Sequence, residues 1–360
     1  MMLGQLAARG VNKPVLCVSA LRTALPRGAL CAYSSVSDAP RPDHAVFRRI
    51  ATRMGSLFKK NYDENEIEQL VRPATQYLQS LGLTPKQALT CVAMHPMIVK
   101  YTPDAMNRKV SWLRQNGMTP NLLVSAVRRA PNVLGVSEES LEAMRQWYLN
   151  MGIPQEKIGF LFSTFPHGPS MSIEGNLEKK KLVLQSMGLD DDQIRRMVQR
   201  VPQSFTISID NMLEKAEKMK VWGVPEQQVP KILAIVPELL ALNADRVHAK
   251  LVMLDSLFGE GVGVNFFIRC PRIIMYSLKT LRSSHEFLTQ EAGISSDRIQ
   301  ENPNILMRSV DHILRPRFEF LQTQEHEKDV PITRWIHASD VNFTKEFPEY
   351  AEFRAKMRST

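Results

Sequence analysis

The chain has 360 residues, of which 44% are hydrophobic and 23% are charged, and its formal net charge at pH 7 is +9. A hydrophobic fraction of this size supports a substantial core and excludes general disorder. No apolar run approaches ~20 residues, so we expect no membrane contact, and the positive charge favours polyanionic partners.

The N-terminal 37 residues contain no acidic side chain. They carry Arg9, Lys13, Arg22 and Arg27 among alanine, leucine and serine residues, a composition typical of an organelle transit peptide. We therefore expect residues 1–37 to be a disordered transit peptide, with a disordered basic tail as the alternative. The spaced arginines and the moderate serine content favour the mitochondrion, with the plastid as the alternative. Loss of these four charges would lower the formal charge from +9 to about +5.

Residues 38–70 are predicted to form a basic helical lead-in. Within them, DHAVFRRIATRMGSLFKK (43–60) places apolar residues from Phe47 to Leu57 on one side of a helix. We expect this helix to be the first packing element of the domain that follows. The alternative is a basic arm that contacts phosphates.

After this lead-in, a pattern recurs that begins with glycine and ends with proline fourteen residues later. Two shortened copies follow five full ones, and consecutive terminal prolines are 32 to 36 residues apart. A period in this range is typical of stacked repeats. The copies are GLTPKQALTCVAMHP (82–96), GMTPNLLVSAVRRAP (117–131), GIPQEKIGFLFSTFP (152–166), GLDDDQIRRMVQRVP (188–202), GVPEQQVPKILAIVP (223–237), GVGVNFFIRCP (261–271) and GISSDRIQENP (293–303).

Each copy predicts the same local structure. Glycine suits the left-handed residue that ends a helix, and proline cannot continue the short helix that follows. After the proline comes a short apolar stretch, which the third copy lacks, and then Ser or Thr at Thr102, Ser137, Ser277 and Ser309, where it can cap a longer helix. One unit is therefore a short helix, a proline break with an extended or 3₁₀ turn, and a long helix. Since no unit can bury its apolar face alone, we predict an all-α, curved helical-repeat solenoid.

The fifth copy carries a proline, Pro230, inside its predicted short helix. Proline lacks the N–H that a helix interior requires. We therefore predict that this helix begins late or is kinked at Pro230.

The repeat, Gly-apolar followed by about eleven residues and Pro-x-apolar-apolar, resembles that of the mitochondrial transcription termination factor (mTERF) family. The resemblance covers residues 70–350, and IQENPNILMRSVDHILRPRFEFLQ followed by ITRWIHASDVNFTKEF is similar to the end of the family's domain. It implies a left-handed superhelix of repeats with two α-helices and one 3₁₀-helix each. We accordingly place an mTERF-like repeat domain at residues 71–350 and a C-terminal tail at 351–360.

The resemblance also implies a function. Members of the family act in mitochondria or plastids and bind double-stranded DNA or RNA along a basic groove, in transcription termination or regulation and in ribosome biogenesis. We therefore expect a monomer that binds double-stranded DNA, with RNA as the alternative, alongside transcription or ribosome-assembly proteins. Terminator members end in a basic segment, whereas the matching stretch here is ASDVNFTKEF. A non-catalytic protein scaffold is a further alternative, because residues 97–240 hold 18 basic and 15 acidic side chains.

Phosphate binding requires Lys or Arg side chains that recur along one face, because every phosphate carries negative charge. In the family, a basic residue directly after the terminal proline can contact the phosphate backbone, and Arg272 holds that position here. The competing interpretation is that these are ordinary surface residues paired with acids. The candidates for nucleic-acid contact are Arg108, Lys109, Arg128, Arg129, Lys180, Arg195, Arg196, Lys215, Lys231, Lys250, Arg272 and Arg315.

Motifs typical of enzymes are incomplete. FGEGVGVNF (258–266) lacks the Lys-Ser/Thr of a phosphate-binding loop and fits an inter-helix loop of the repeat, while HEFLT (285–289) lacks the second histidine of a zinc protease. The four cysteines form no CxxC pair, so neither a zinc site nor a disulfide framework is supported. We expect no catalytic residues, no metal and no cofactor.

Overall fold

The structure, a computed structural model, describes residues 42–323 and 335–359. The predicted transit peptide at residues 1–37 lies outside the described residues. Within the described ranges all regular structure is helical, and the repeat of short helix, 3₁₀ turn and long helix is present. The all-α repeat fold is therefore confirmed.

The α-helices alternate with turns of tighter or wider helix. The α-helices are α1 (Pro42–Phe58), α2 (Glu64–Ser80), α3 (Pro85–Met94), α4 (Pro103–Gln115), α5 (Pro120–Arg129), α6 (Glu138–Asn150), α7 (Ile158–Thr164), α8 (Lys179–Ser186), α9 (Asp191–Arg200), α10 (Ile209–Val221), α11 (Val229–Ile235), α12 (Ala244–Phe258), α13 (Val262–Arg269), α14 (Leu278–Glu286), α15 (Ser296–Glu301), α16 (Arg315–Thr323), α17 (Asp340–Glu346) and α18 (Tyr350–Ser359). The 3₁₀ turns are Pro96–Lys100, Pro131–Gly135, Gln155–Lys157, Gly168–Ser170, Pro202–Thr206, Glu226–Gln228, Pro237–Ala241, Pro271–Met275 and Pro303–Met307. Single π-helical turns are Ile173–Glu178, Phe287–Glu291 and Val310–Leu314.

The second copy shows how the sequence begins each helix. The hydroxyl of Thr119 accepts a hydrogen bond from the backbone N–H of Leu122, and Pro120 stands in the first turn of α5, where its missing N–H costs nothing. The same type of cap precedes the long helices, as predicted from the Ser and Thr residues after each proline. Those caps are Thr102, Ser137, Ser277 and Ser309.

The terminal proline ends the short helix and starts the 3₁₀ turn. Ala130 still donates its N–H to the carbonyl of Ala126, but its own backbone is extended (φ −148°, ψ 83°), as the residue before a proline prefers. The turn Pro131–Gly135 follows at once. In six of the seven copies a five-residue 3₁₀ turn begins on the terminal proline. In the third copy, which lacks the apolar stretch, a shorter turn begins instead at Gly168.

Glycine ends the long helices in the left-handed region in most copies, as at Gly117 (φ 88°). The sixth copy differs from the prediction. There α12 ends at Gly259 (φ 109°), and Gly261 (φ 79°) instead precedes the first residue of α13. Gly261 can adopt the positive φ that the chain needs directly before α13 begins. The carboxylate of Asp255 also stabilises this turn, because it accepts a hydrogen bond from the N–H of Gly263 at 2.7 Å.

Pro230 lies in the first turn of its helix. The segment Glu226–Gln228 is a 3₁₀ turn, and α11 begins only at Val229. A proline in the first turn has no N–H to satisfy and already has the required φ. The predicted late start is therefore confirmed.

One compact unit comprises residues up to Arg145 together with Pro154–Ser170. In its described part α1 packs against α2 and α3, and Ile50 and Met54 of α1 are fully buried. The lead-in helix is therefore the first packing element, although Leu57 is 53% exposed. The short helices α3, α5 and α7 pack side by side.

The second compact unit comprises Gln146–Ile153 and Met171–Thr360. Short helices α9 and α11 pack on each other, and so do α12 and α13. The 3₁₀ turns of neighbouring copies are in contact within this unit. An aromatic cluster around Phe320, Phe343 and Tyr350 joins α16 to α17 and α18.

Within the described ranges, no single helix is long and apolar enough to span a bilayer. Helices α12 and α13 have sufficient length and apolar character only as a pair, and the chain bends by 116° between them.

Candidate nucleic-acid interface

Arginines near the ends of alternate short helices reach the next repeat. Each stands two residues before a terminal proline and donates to backbone carbonyls at the end of the following short helix. These carbonyls have no partner within their own helix, because the chain turns away at the proline. The pairs are Arg129 with Ser163, Arg200 with Ile235, and Arg269 with Gln300 and Glu301.

Lysines at equivalent positions of three consecutive long helices are also bound to the next repeat. They lie 35 residues apart, and each ammonium group donates to a backbone carbonyl in or directly after the next 3₁₀ turn. Burial lowers the pKa of all three. The pairs are Lys180 with Phe205 (2.6 Å), Lys215 with Leu242 (2.5 Å), and Lys250 with Ile274.

These contacts give part of the predicted set a structural role. Lys180 and Lys215 are 5% and 8% exposed, and Lys250 is half-buried. Their ammonium groups satisfy backbone carbonyls of the next repeat, so all three lysines hold neighbouring repeats together. Arg129 is held in the same manner, because its guanidinium group donates to the carbonyl of Ser163.

Four further candidates form ion pairs with neighbouring acids, as the competing interpretation expected. Arg108 and Lys109 share Glu138, at 3.6 and 3.1 Å. Arg195 pairs with Asp192, three residues away on α9, at 2.9 Å. The remaining pair is Arg315 with Glu291, in which the guanidinium group also lies over the ring of Phe287.

The other four candidates, Arg128, Arg196, Lys231 and Arg272, are exposed. None of them forms an ion pair or hydrogen bond with another residue in the described ranges. Arg128 belongs to the first unit and the other three belong to the second. These are the candidate side chains that the described structure leaves available to an external anion.

In the second unit the available cations lie beside the arginines that join the repeats. Arg196 stands four residues before Arg200 on α9, so both side chains share one helix face. Lys231 holds on α11 the position that Arg196 holds on α9, 35 residues earlier. We call Arg196, Arg200, Lys231, Arg269 and Arg272 the short-helix row.

Charges from three consecutive copies meet at Arg200. Its guanidinium lies 3.8 Å from the carboxylate of Glu238, the residue directly after Pro237. Burial lowers the pKa of Arg200, Glu238 raises it, and the nearby positive charge of Arg272 lowers it further. Arg200, Glu238 and Arg272 therefore form one electrostatic neighbourhood that spans three copies.

One member of this row, Arg269, was not considered as a contact in the sequence analysis. The sequence does contain a signal for it, because arginine occurs two residues before the terminal proline in the second, fourth and sixth copies. An alternating pattern of this kind is visible only when the copies are aligned on their prolines.

The motifs that resembled enzyme sites have structural explanations. The glycines of FGEGVGVNF form the turn between α12 and α13, as the repeat predicted. In the described part of the chain, no three His, Cys, Asp or Glu side chains are grouped so as to hold a metal ion. Cys91 and Cys270 are buried free thiols.

Comparison with known proteins agrees with the repeat. A profile of the mTERF family matches residues 65–344. From Arabidopsis thaliana, "Transcription termination factor MTERF15, mitochondrial" is 20% identical over 258 residues, which are 67% of this chain and 54% of that protein. "Transcription termination factor MTERF8, chloroplastic" is 19% identical over 294 residues, 80% of this chain and 56% of that protein. The chain thus spans little more than half the length of these relatives. Because the profile covers most of the chain and coincides with the seven helical repeats, the chain belongs to the mTERF family.

Proposed function

We propose that this protein is a non-catalytic, organellar nucleic-acid-binding protein that regulates transcription or its termination, and that double-stranded DNA is its ligand. The observation that carries the proposal is the short-helix row of the second unit. Three of its cations, Arg196, Lys231 and Arg272, are exposed and form no ion pair within the described ranges. Family membership and the names of both relatives, transcription termination factors of organelles, support the same assignment.

The charge distribution favours the backbone of a nucleic acid over its bases. Lys and Arg neutralise phosphates and release condensed counterions, so affinity falls with salt in proportion to the number of phosphates contacted. The acids of short helix α9 are Asp191 and Asp192 in its first turn, whereas Arg200 lies in its last. On α9 the positive charge is therefore concentrated towards the end that adjoins the 3₁₀ turn.

The mitochondrion is the organelle that we propose, on the basis of the Arg-spaced N-terminus. One relative is named as mitochondrial and the other as chloroplastic. The plastid is therefore the alternative location that the experiment must distinguish from the mitochondrion. Import of residues 1–40 fused to a fluorescent reporter distinguishes the two organelles.

Fluorescence anisotropy with a labelled 30-base-pair DNA duplex tests the proposed function. We expect affinity to fall about 10³-fold between 50 and 200 mM salt if about six phosphates are neutralised. The triple variant Arg196→Glu, Lys231→Glu, Arg272→Glu should bind at least about 100-fold more weakly at 50 mM salt, with a shallower salt dependence.

The matched control reverses three exposed cations of the long helices in the same unit, Arg246→Glu, Lys279→Glu and Arg282→Glu. It changes net charge equally, so it should lose much less affinity if the short-helix row is the contact. Equal losses would show that net charge alone drives binding. No binding by the wild-type protein at 20 mM salt would contradict the proposal, and tighter binding to RNA of the same sequence would favour the RNA-binding alternative.

A further inference from the structure

The residues directly after the terminal prolines of the second unit form a line along the 3₁₀ turns, and Arg272 of the short-helix row is one of them. In the fourth to seventh copies this residue is Gln203, Glu238, Arg272 and Asn304 in turn. The turns Pro202–Thr206 and Pro237–Ala241 contact each other, as do Pro271–Met275 and Pro303–Met307, and α11 of the fifth copy contacts Pro271–Met275. Neighbouring copies are therefore in contact along this line.

Two contacts show how this line meets the preceding repeat. Arg200, two residues before Pro202, lies 3.8 Å from Glu238 of the next copy. Cys270, one residue before Pro271, contacts the side-chain oxygen of Asn304 at 2.7 Å. The residue after the proline in one copy therefore faces the end of the short helix in the copy before it.

Glu238 is the one acidic residue among the four of this line. Its side chain is only 16% exposed, against 43% for Arg200, so its carboxylate is screened by water less than those of the surface pairs. At 3.8 Å the pair is electrostatic without a direct hydrogen bond, because the Arg200 guanidinium donates instead to the carbonyl of Ile235. The carboxylate therefore cancels positive charge without being needed to hold Arg200 in place.

A phosphate bound at the short-helix row would be repelled by the negative charge of the Glu238 carboxylate. At physiological salt, charges interact over about 8 Å, and over longer distances where protein replaces water. The carboxylate of Glu238 lies 3.8 Å from the guanidinium of Arg200, and Arg200 also senses the positive charge of Arg272. A phosphate held by Arg200 and Arg272 would therefore lie close to this carboxylate. Glu238 thus offsets part of the positive charge that Arg200 offers to a phosphate.

We propose that Glu238 is an affinity-setting residue: its carboxylate, beside Arg200 of the short-helix row, keeps nucleic-acid binding weaker and less salt-dependent than the arginines of the row alone would make it. This inference rests on the proposed function. It predicts that removing the charge of Glu238 increases the affinity for nucleic acid. A variant that merely failed to fold would lose affinity instead.

The test compares Glu238→Gln, Glu238→Lys and Glu238→Asp in the full chain with the same 30-base-pair duplex. Glu238→Gln preserves shape and removes the charge, so affinity at 100 mM salt should rise about 3- to 10-fold, with a log–log salt slope steeper by about 0.9. Glu238→Lys should raise affinity further. Glu238→Asp keeps the charge and should remain within about twofold of the wild type.

Glu214→Gln is the matched control, because it removes one carboxylate that is also paired with a basic residue, Lys218, but on long helix α10. It should change affinity much less than Glu238→Gln. An equal gain in Glu214→Gln, or no gain in Glu238→Gln and Glu238→Lys, would overturn the inference while the wild-type protein still binds. Failure of the wild-type protein itself to bind at 20 mM salt would instead contradict the proposed function, and the inference with it.

Discussion

Lys215 donates a hydrogen bond of 2.5 Å from its ammonium group to the backbone carbonyl of Leu242, which directly follows the 3₁₀ turn of the next repeat. A charged side chain thus supplies a donor that the neighbouring main chain lacks. Ser284 makes the equivalent contact with Arg308 at 3.0 Å in a later copy. The stack is therefore held by polar ties to the backbone as well as by apolar burial.

Replacing Lys215 with Met should destabilise the fold by about 1–3 kcal/mol, because the carbonyl of Leu242 would be left without its donor in a buried site. The measurement is equilibrium unfolding in urea. Lys218→Met is the control, since Lys218 lies on the same helix but pairs with Glu214 at the surface, and its loss should change stability much less than the loss of Lys215. Equal costs for the two variants would contradict the structural role of Lys215.

Asp340 links two arginines at the C-terminal end of the repeats. It accepts hydrogen bonds from Arg317 at 2.7 Å and from Arg354 at 2.8 Å, and Arg317 is only 1% exposed. Asp340→Asn removes the counter-charge of a buried guanidinium and should cost about 2–3 kcal/mol at pH 7. Thermal unfolding of the two proteins measures this difference.

The pH dependence of that difference is a separate prediction. Burial alone would raise the pKa of Asp340, but the hydrogen bonds from Arg354 and Arg317 lower it below the usual 3.8. A carboxyl with a lowered folded-state pKa contributes stability above its unfolded pKa and loses it as pH falls through the folded value. The wild-type advantage over Asp340→Asn should therefore be constant from pH 7 to about 5 and shrink below about pH 4. An advantage that persists undiminished to pH 2 would contradict this.

Helix α7 approaches the backbone at Gly117, two residues after the end of α4, too closely for a side chain at Gly159. A Cβ added to Gly159 would fall 2.2 Å from the carbonyl carbon of Gly117, and neither backbone can yield as a flexible side chain would. Gly159→Ala should therefore cost about 3 kcal/mol or more. Gly259→Ala is the comparison, because open space surrounds Gly259 and only its positive φ resists alanine, so it should cost about 1–2 kcal/mol.

Cys91 provides a test of packing between repeats. Burial raises the pKa of its thiol to about 11, partly opposed by the charge of Arg128. At pH 7.5 the thiolate fraction should be about 100-fold lower than in the unfolded chain, since each pKa unit changes it tenfold. Alkylation followed by mass spectrometry should find Cys91 protected in the native protein and labelled rapidly in urea. Labelling of Cys91 at similar rates in both states would show that this packing is absent.

The repeat could be predicted from the sequence because glycine and proline act locally. The prolines that end the copies could be read one at a time, because each removes the N–H that the short helix would need to continue, and six of them begin a 3₁₀ turn. The late start of α11 fits Pro230 in its first turn, although α7 of the third copy starts at the equivalent place with Gly159 at that position. The turn at Gly259 was mistaken for one at Gly261 because two nearby glycines satisfy the same local rule. Which of the two glycines ends α12 depends on how α13 packs against α12, and this packing is not visible in the local sequence.

The roles of the basic residues could not be predicted in the same way. Lys180, Lys215 and Lys231 look alike in the sequence, yet two are buried against carbonyls and one is exposed. The difference depends on which face of its helix meets the next repeat, and thus on the crossing of helices far apart in sequence. Glu238 acquires its significance from Arg200, 38 residues earlier, by the same long-range geometry.

Arg317 has a consequence for how the stack stops. In earlier copies a side chain near this position donates to a following 3₁₀ turn, whereas Arg317 donates to the carbonyls of Trp335 and Ala338. Helices α17 and α18 thus cover the exposed side of α16, where Phe320 packs against Phe343 and Tyr350. Removal of residues 335–359 would uncover this aromatic cluster and leave the buried guanidinium of Arg317 without its carbonyl acceptors. These two helices therefore protect an apolar surface that would otherwise promote aggregation.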